Sequence, residues 1–194
     1  ERIYKEFELI WNQSDIASDE FILKYQEFLN QLKPKSVVNE NFYDNYIKIS
    51  PNSMQLDAIN SLDRLRAHGE KKALAIAATG SGKTYMAAFD VAEVKPKKLL
   101  FIVHREVILR DAITSFIKVT NLPENKFGIL SGNSKEIDRD YLFAMNISLA
   151  NNLTQFKKDE FDYIIIDEAH HVSGETYQKI LAYFNPKFLL GMTA

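Results

Sequence analysis

The chain has 194 residues, of which 46% are hydrophobic and 26% charged, with a formal net charge of −2 and no cysteine. That length suits one α/β domain with an ordinary core and an appendage. The missing thiols exclude thiol catalysis, thiolate metal sites and disulfide frameworks, and they fit a reducing, cytoplasmic setting.

The charge balance gives no global basic field, so any nucleic-acid contact must be local. No apolar run approaches the roughly 20 residues that span a bilayer, and no membrane association is expected. The chain begins Glu1-Arg2-Ile3 without Met and stops on Gly191-Met192-Thr193-Ala194 directly after an apolar run. It is therefore expected to be a piece of a longer protein.

Residues 1–33 read as two helices. Ile3, Phe7, Ile10 and Trp11 form one stripe, and Phe21, Tyr25, Phe28, Leu29 and Leu32 a second, with Ser18 as its N-cap. Pro34 ends the second helix, and residues 34–50 read as a polar and aromatic linker. Residues 1–49 are thus expected to be a helical extension, and residues 50–194 a separate domain.

Ser50-Pro51 is a helix-start signal, followed by Gln55, Leu56, Ile59, Leu62 and Leu65 at helical spacing as far as Gly69. Short apolar runs come next: Leu74–Ala77, Leu99–Val103, Phe127–Leu130, Tyr141–Ala144, Tyr163–Ile166 and Phe188–Gly191. Amphipathic segments of helix length separate several of them, at Thr84–Glu93, Glu106–Lys118 and Thr176–Phe184. The alternation predicts an α/β fold with a doubly wound, mainly parallel sheet. Ligands of such sheets sit at the carboxyl ends of strands.

Ala77-Ala78-Thr79-Gly80-Ser81-Gly82-Lys83-Thr84 follows an apolar strand and opens a helix, the context of a phosphate-binding loop. Its glycines let backbone N–H groups approach phosphate oxygens, and the helix adds its positive end. Thr79, Gly80, Ser81 and Gly82 would cradle a nucleoside triphosphate. Lys83 would reach the β- and γ-phosphates, and Thr84 would ligate Mg²⁺. Ala77 stands where the usual first glycine falls.

Downstream, Tyr163-Ile164-Ile165-Ile166-Asp167-Glu168-Ala169-His170-His171 puts two carboxylates at the tip of a buried strand. A buried charge needs a cation or strong donors. Mg²⁺ held between Thr84 and Asp167 meets that need, and Glu168 would orient or deprotonate the attacking water. His170 is expected to link this site to other parts of the protein, and His171 to pack locally. Neither has the companions that zinc requires.

Together these motifs resemble helicase superfamily 2. Asp167-Glu168-Ala169-His170 is the box that names its DEAH-type members, and Ala77–Thr84 is similar to its motif I, where Ala in first position is normal. Pro51-Asn52-Ser53-Met54-Gln55 resembles the Q-type motif, which implies that Gln55 reads the adenine edge of ATP. Phe101-Ile102-Val103-His104-Arg105 resembles motif Ia. Phe143–Leu149 occupies the place of motif Ib without its usual Thr and Gln. Gly191-Met192-Thr193-Ala194 is similar to the start of motif III.

The resemblance runs over residues 50–194, and within the superfamily it points to restriction-enzyme motor subunits. It implies the first of two RecA-like domains of a P-loop ATPase that works on nucleic acid, here DNA. ATP and Mg²⁺ would be the cofactors, with a second domain supplying arginine fingers. Such fingers contribute about 10³–10⁵ in rate, so this chain alone is expected to bind nucleotide weakly and hydrolyse it poorly.

His104 and Arg105, ending the second strand, would meet the phosphates of a nucleic-acid strand. An ion pair between Arg105 and Glu106 is the alternative. Lys95, Lys97 and Lys98 around Pro96 read as a solvated turn. Other classes remain open at this level: a P-loop phosphotransferase, although no Arg-rich lid lies between Gly132 and Phe161, or a nucleotide-gated scaffold.

Overall fold

The first helix, α1 (Ser53–Ala67), starts two residues later than Ser50-Pro51 signals, because Asn52 provides a better cap. The Asn52 side chain accepts the Gln55 N–H, and the Gln55 side chain accepts the Asn52 N–H, each at 2.9 Å. This reciprocal capping box satisfies donors that Pro51 could not. The computed structural model of the protein describes residues 49–194, so the helices and linker expected over residues 1–48 lie outside the described residues.

The buried stripe of α1 is Gln55, Ile59 and Leu62, whereas Leu56 and Leu65 are 46% and 38% exposed. The expected stripe was too wide. Gln55 takes the position at its head, since its amide finds partners there and Leu56 is turned about 100° away.

Strands β1 (Lys72–Ile76), β2 (Leu99–Val103), β3 (Phe127–Leu130), β4 (Tyr141–Met145), β5 (Tyr163–Ile166) and β6 (Phe188–Thr193) form one sheet. Its order is β1-β6-β5-β2-β4-β3, and every pairing is parallel. The expected doubly wound α/β architecture is what the chain adopts.

Helices α2 (Lys83–Val94), α3 (Glu106–Thr120), α4 (Asn146–Asn151) and α5 (Glu175–Tyr183) connect the strands. Of these, α4 follows β4 directly, within the stretch that sequence treats only as a motif. Six residues are too few to show a helical period.

The continuous apolar runs of the inner strands follow from burial on both faces, whereas Leu74 and Ile76 of the edge strand β1 are 59% and 71% exposed. Leu99, Phe101 and Val103 of β2 enter one core with α1, α2 and α3, while Leu100 and Ile102 enter the other with α4 and α5. Stacked and edge-on rings of Phe101, Phe116 and Phe143 fill the first core.

At the amino ends of the strands, Asp90 of α2 is completely buried. It accepts the Tyr163 hydroxyl at 2.6 Å and both guanidinium nitrogens of Arg66 at 3.0 and 2.6 Å. The Arg66 guanidinium also lies 5.1 Å from the centre of the Phe188 ring. This anchor ties α1, α2, β5 and β6 together and leaves the opposite end of the sheet to the loops. Lys97 and Lys98 belong to the same lower end. Their N–H groups bond Asp162 at 3.0 and 3.2 Å, and the Lys98 ammonium bonds Glu160 at 2.7 Å.

Candidate functional site

The carboxyl ends of β1, β6, β5 and β2 bring most of the expected residues to one edge. Past β1, the Ala77 N–H bonds the Thr193 carbonyl at 3.0 Å, which prolongs the pairing with β6. The chain then departs through Gly80 and Gly82, with φ of +78° and +84°. An L side chain is strained there. At Gly82 space is refused as well, since a Cβ would lie 2.7 Å from Gln55 Nε2.

Gly82 is the N-cap of α2 and offers no side-chain acceptor. The first N–H groups of the helix, together with those of the loop, are the features of an anion cradle. Lys83 closes over it, its ammonium donating to the Ala77 and Ala78 carbonyls at 2.9 and 3.4 Å. Thr79 and Gly80 are exposed, and Ser81 and Thr84 half-buried.

Gln55 is built into this edge, 6% exposed. Its Oε1 is taken by the capping box, and its Nε2 donates to the Gly82 carbonyl at 3.1 Å. One Nε2 hydrogen remains for any other acceptor.

Asp167 continues β5, its N–H bonded to the Ile102 carbonyl at 3.0 Å. The residue is 8% exposed, and its carboxylate accepts the Glu168 N–H at 3.1 Å. Burial pushes the Asp167 carboxyl above its ordinary range. The Glu168 N–H pulls it part of the way back, the Glu168 charge pushes it further up, and the charge of Lys83 lowers it.

Glu168 turns the chain with φ of +54°, rare for a residue with a side chain. His170 Nδ1 lies 2.9 Å from the Thr193 hydroxyl and 3.2 Å from Glu168 Oε2. With its proton on Nδ1, the imidazole donates to the Thr193 hydroxyl, and Glu168 beside it becomes an ion-pair partner when the ring is protonated, so His170 stands between the acidic tip of β5 and the end of β6. His171 continues the contact: its ring centre is 4.1 Å from that of His170 and 5.0 Å from that of His104. His104 therefore packs inward, with its Nδ1 buried and unpaired.

Arg105 is exposed at the start of α3. Glu106 receives the Ser131 hydroxyl at 2.9 Å instead of pairing with Arg105, which leaves the arginine beside the uncapped first turn of α3. Val107 and Ile147, the second residues of α3 and α4, are 79% and 59% exposed. Sequence reasoning passed over Tyr177, whose buried hydroxyl has no partner among the described residues. An aromatic residue at helical spacing carries no signal beyond core packing.

This fold, with its glycine loop and its carboxylate-tipped strand at one sheet edge, is that of a RecA-like helicase domain. The sequence profile of the family described as type III restriction enzyme, res subunit, matches residues 48–194, and the chain belongs to that family.

It is 27% identical over 176 residues to a type I restriction enzyme EcoAI endonuclease subunit of Escherichia coli, covering 81% of this chain and 21% of that protein. It is 28% identical over 141 residues to a Saccharomyces cerevisiae protein named as a candidate ATP-dependent helicase, covering 67% and 20%. The chain thus spans about a fifth of the length of these relatives.

Among solved structures, the Hef helicase domain of Pyrococcus furiosus superposes with a TM-score of 0.62 at 22% identity, covering 74% of this chain and 32% of that one. A hypothetical ATP-dependent RNA helicase of Sulfolobus tokodaii superposes with a TM-score of 0.58 at 18% identity, covering 74% and 51%. At such identities the likeness concerns the fold.

Proposed function

We propose that residues 50–194 are the first RecA-like motor domain of an ATP-dependent DNA helicase or translocase. The observation that carries the reading is a glycine loop opening α2, with Gly80 and Gly82 at φ of +78° and +84°, on the same carboxyl edge of the sheet as the Asp167-Glu168 tip of β5. In the reading, N–H groups of Thr79, Gly80, Ser81 and Gly82 bind the triphosphate, and Lys83 exchanges the Ala77 carbonyl for the β- and γ-phosphates.

Thr84 and Asp167 would hold Mg²⁺. A buried carboxylate with a single hydrogen bond, among the described residues, fits a hard cation with oxygen ligands. When bound, the ion neutralises charge developing on the phosphates. Glu168 orients the attacking water and accepts its proton. Gln55 directs its remaining Nε2 hydrogen to the adenine edge. His170 passes the state of Glu168 to Thr193 on β6.

Arg105 and the uncapped N–H groups of α3 would hold backbone phosphates, with His104 as their support from below. The kinship with a restriction endonuclease subunit favours DNA, and the chain without cysteine suits the cytoplasm. Among the described residues no helix is long and apolar enough to cross a membrane.

A second RecA-like domain would complete the ATP site, so turnover by this chain alone is slow. Calorimetric titration with Mg-ATP should give weak but saturable binding that Lys83→Ala removes. Equal binding by both proteins would overturn the proposal.

A further inference from the structure

Helix α5 carries a polar group for which the site described above has no use. The Tyr177 ring is 2% exposed and packs in the core that holds Ile166 and Ile180. Its hydroxyl is enclosed and has no hydrogen-bond partner among the described residues. A phenylalanine would fill the same space without stranding a donor. Burial, then the negative charges of Asp167 and Glu168, push the phenol up to about 12. Ile166 and Ala169, which flank Asp167 and Glu168 in the chain, share that core with Tyr177, so the orphaned donor lies on the carboxylate side of α5.

Glu168 is the acceptor with reason to move. Its φ of +54° is strained for a residue with a side chain, and its present partner, His170 Nδ1, is shared with Thr193. Asp167, in contrast, continues a strand and is bonded at its own N–H.

We infer that Tyr177 is a positioning residue for Glu168, its hydroxyl donating to that carboxylate once nucleotide fills the loop. Tyr177 thereby fixes the acid that orients water, without touching the substrate. This inference rests on the ATP-binding reading given above.

Tyr177→Phe tests it, with Tyr183→Phe on the same helix as control, since the Tyr183 hydroxyl already bonds the Phe156 carbonyl at 2.6 Å. Thermal midpoints and calorimetric affinities are measured with and without a non-hydrolysable ATP analogue and Mg²⁺. Tyr177→Phe should melt at or above the wild type without nucleotide. Its affinity for the analogue should fall about threefold to tenfold, the worth of one hydrogen bond, and its nucleotide-induced rise in midpoint should shrink. Tyr183→Phe should lower the midpoint and keep the affinity.

Wild-type affinity in Tyr177→Phe overturns the inference alone, whether its midpoint rises or falls. No response of the wild type to the analogue overturns the ATP-binding reading, and the inference with it.

Discussion

Replacing Gly82 by alanine combines two costs that the structure separates. The backbone cost comes from φ of +84°, where an L side chain loses about 1–2 kcal/mol. The packing cost comes from a Cβ 2.7 Å from Gln55 Nε2. Gln55 must then leave, breaking its bond to the Gly82 carbonyl and its half of the capping box with Asn52. Each is worth about 1 kcal/mol.

Gly80 supplies the control, because its φ is +78° and nothing lies within 4 Å of its virtual Cβ. Urea unfolding should therefore show Gly80→Ala destabilised by about 1–2 kcal/mol and Gly82→Ala by about 3–4 kcal/mol, with unchanged denaturant slopes. The difference must vanish in a Gln55→Ala background, where the clashing amide is gone. A double-mutant cycle measures this directly as a coupling of about 1–2 kcal/mol. Equal losses at the two glycines, or zero coupling, would show that Gln55 does not brace the loop.

Two further outcomes follow from the lower end of the sheet. Arg66→Ala should cost about 3–5 kcal/mol by chemical denaturation, since it strands the completely buried Asp90 carboxylate; a loss under 1 kcal/mol would mean that water or another cation reaches Asp90. Asp162→Asn should cost about 1 kcal/mol or less at pH 7, because the amide oxygen still accepts the Lys97 and Lys98 N–H groups, only the charge that strengthens those bonds is lost, and the ion pair to the 80% exposed Lys187 is screened.

The pH dependence of that second loss has a definite sign. Lys187, then the N–H groups of Lys98 and Lys97, lower the Asp162 carboxyl from its ordinary 3.8. Its stabilisation is thus complete above that value and lost as pH falls through the lower folded-state value. The wild type and Asp162→Asn should differ by a constant amount near neutrality and converge below about pH 4; a gap that widens on acidification would contradict the assignment.

Much of this was legible without coordinates. Six apolar runs, several of them separated by helix-length segments, point to a parallel sheet whose inner strands are covered on both faces by helices. The spacing Gly80-x-Gly82-Lys83-Thr84 after a strand, and Asp167-Glu168 at the tip of another, are local signals whose chemistry depends on residue type and neighbours in the chain.

What the sequence could not reveal involves partners that are distant along the chain. The burial of Gln55, the Arg66–Asp90–Tyr163 anchor, the imidazole contacts from His104 to His170 and the stranded hydroxyl of Tyr177 all depend on which strands become neighbours. The order β1-β6-β5-β2 brings those strand ends together, and apolar periodicity is the same for any order of buried strands. The sequence alone determined the class of fold and the residues with chemical capacity. The tertiary structure decided which of them meet, because hydrogen bonds and charges act over a few ångströms of space regardless of their separation in the chain.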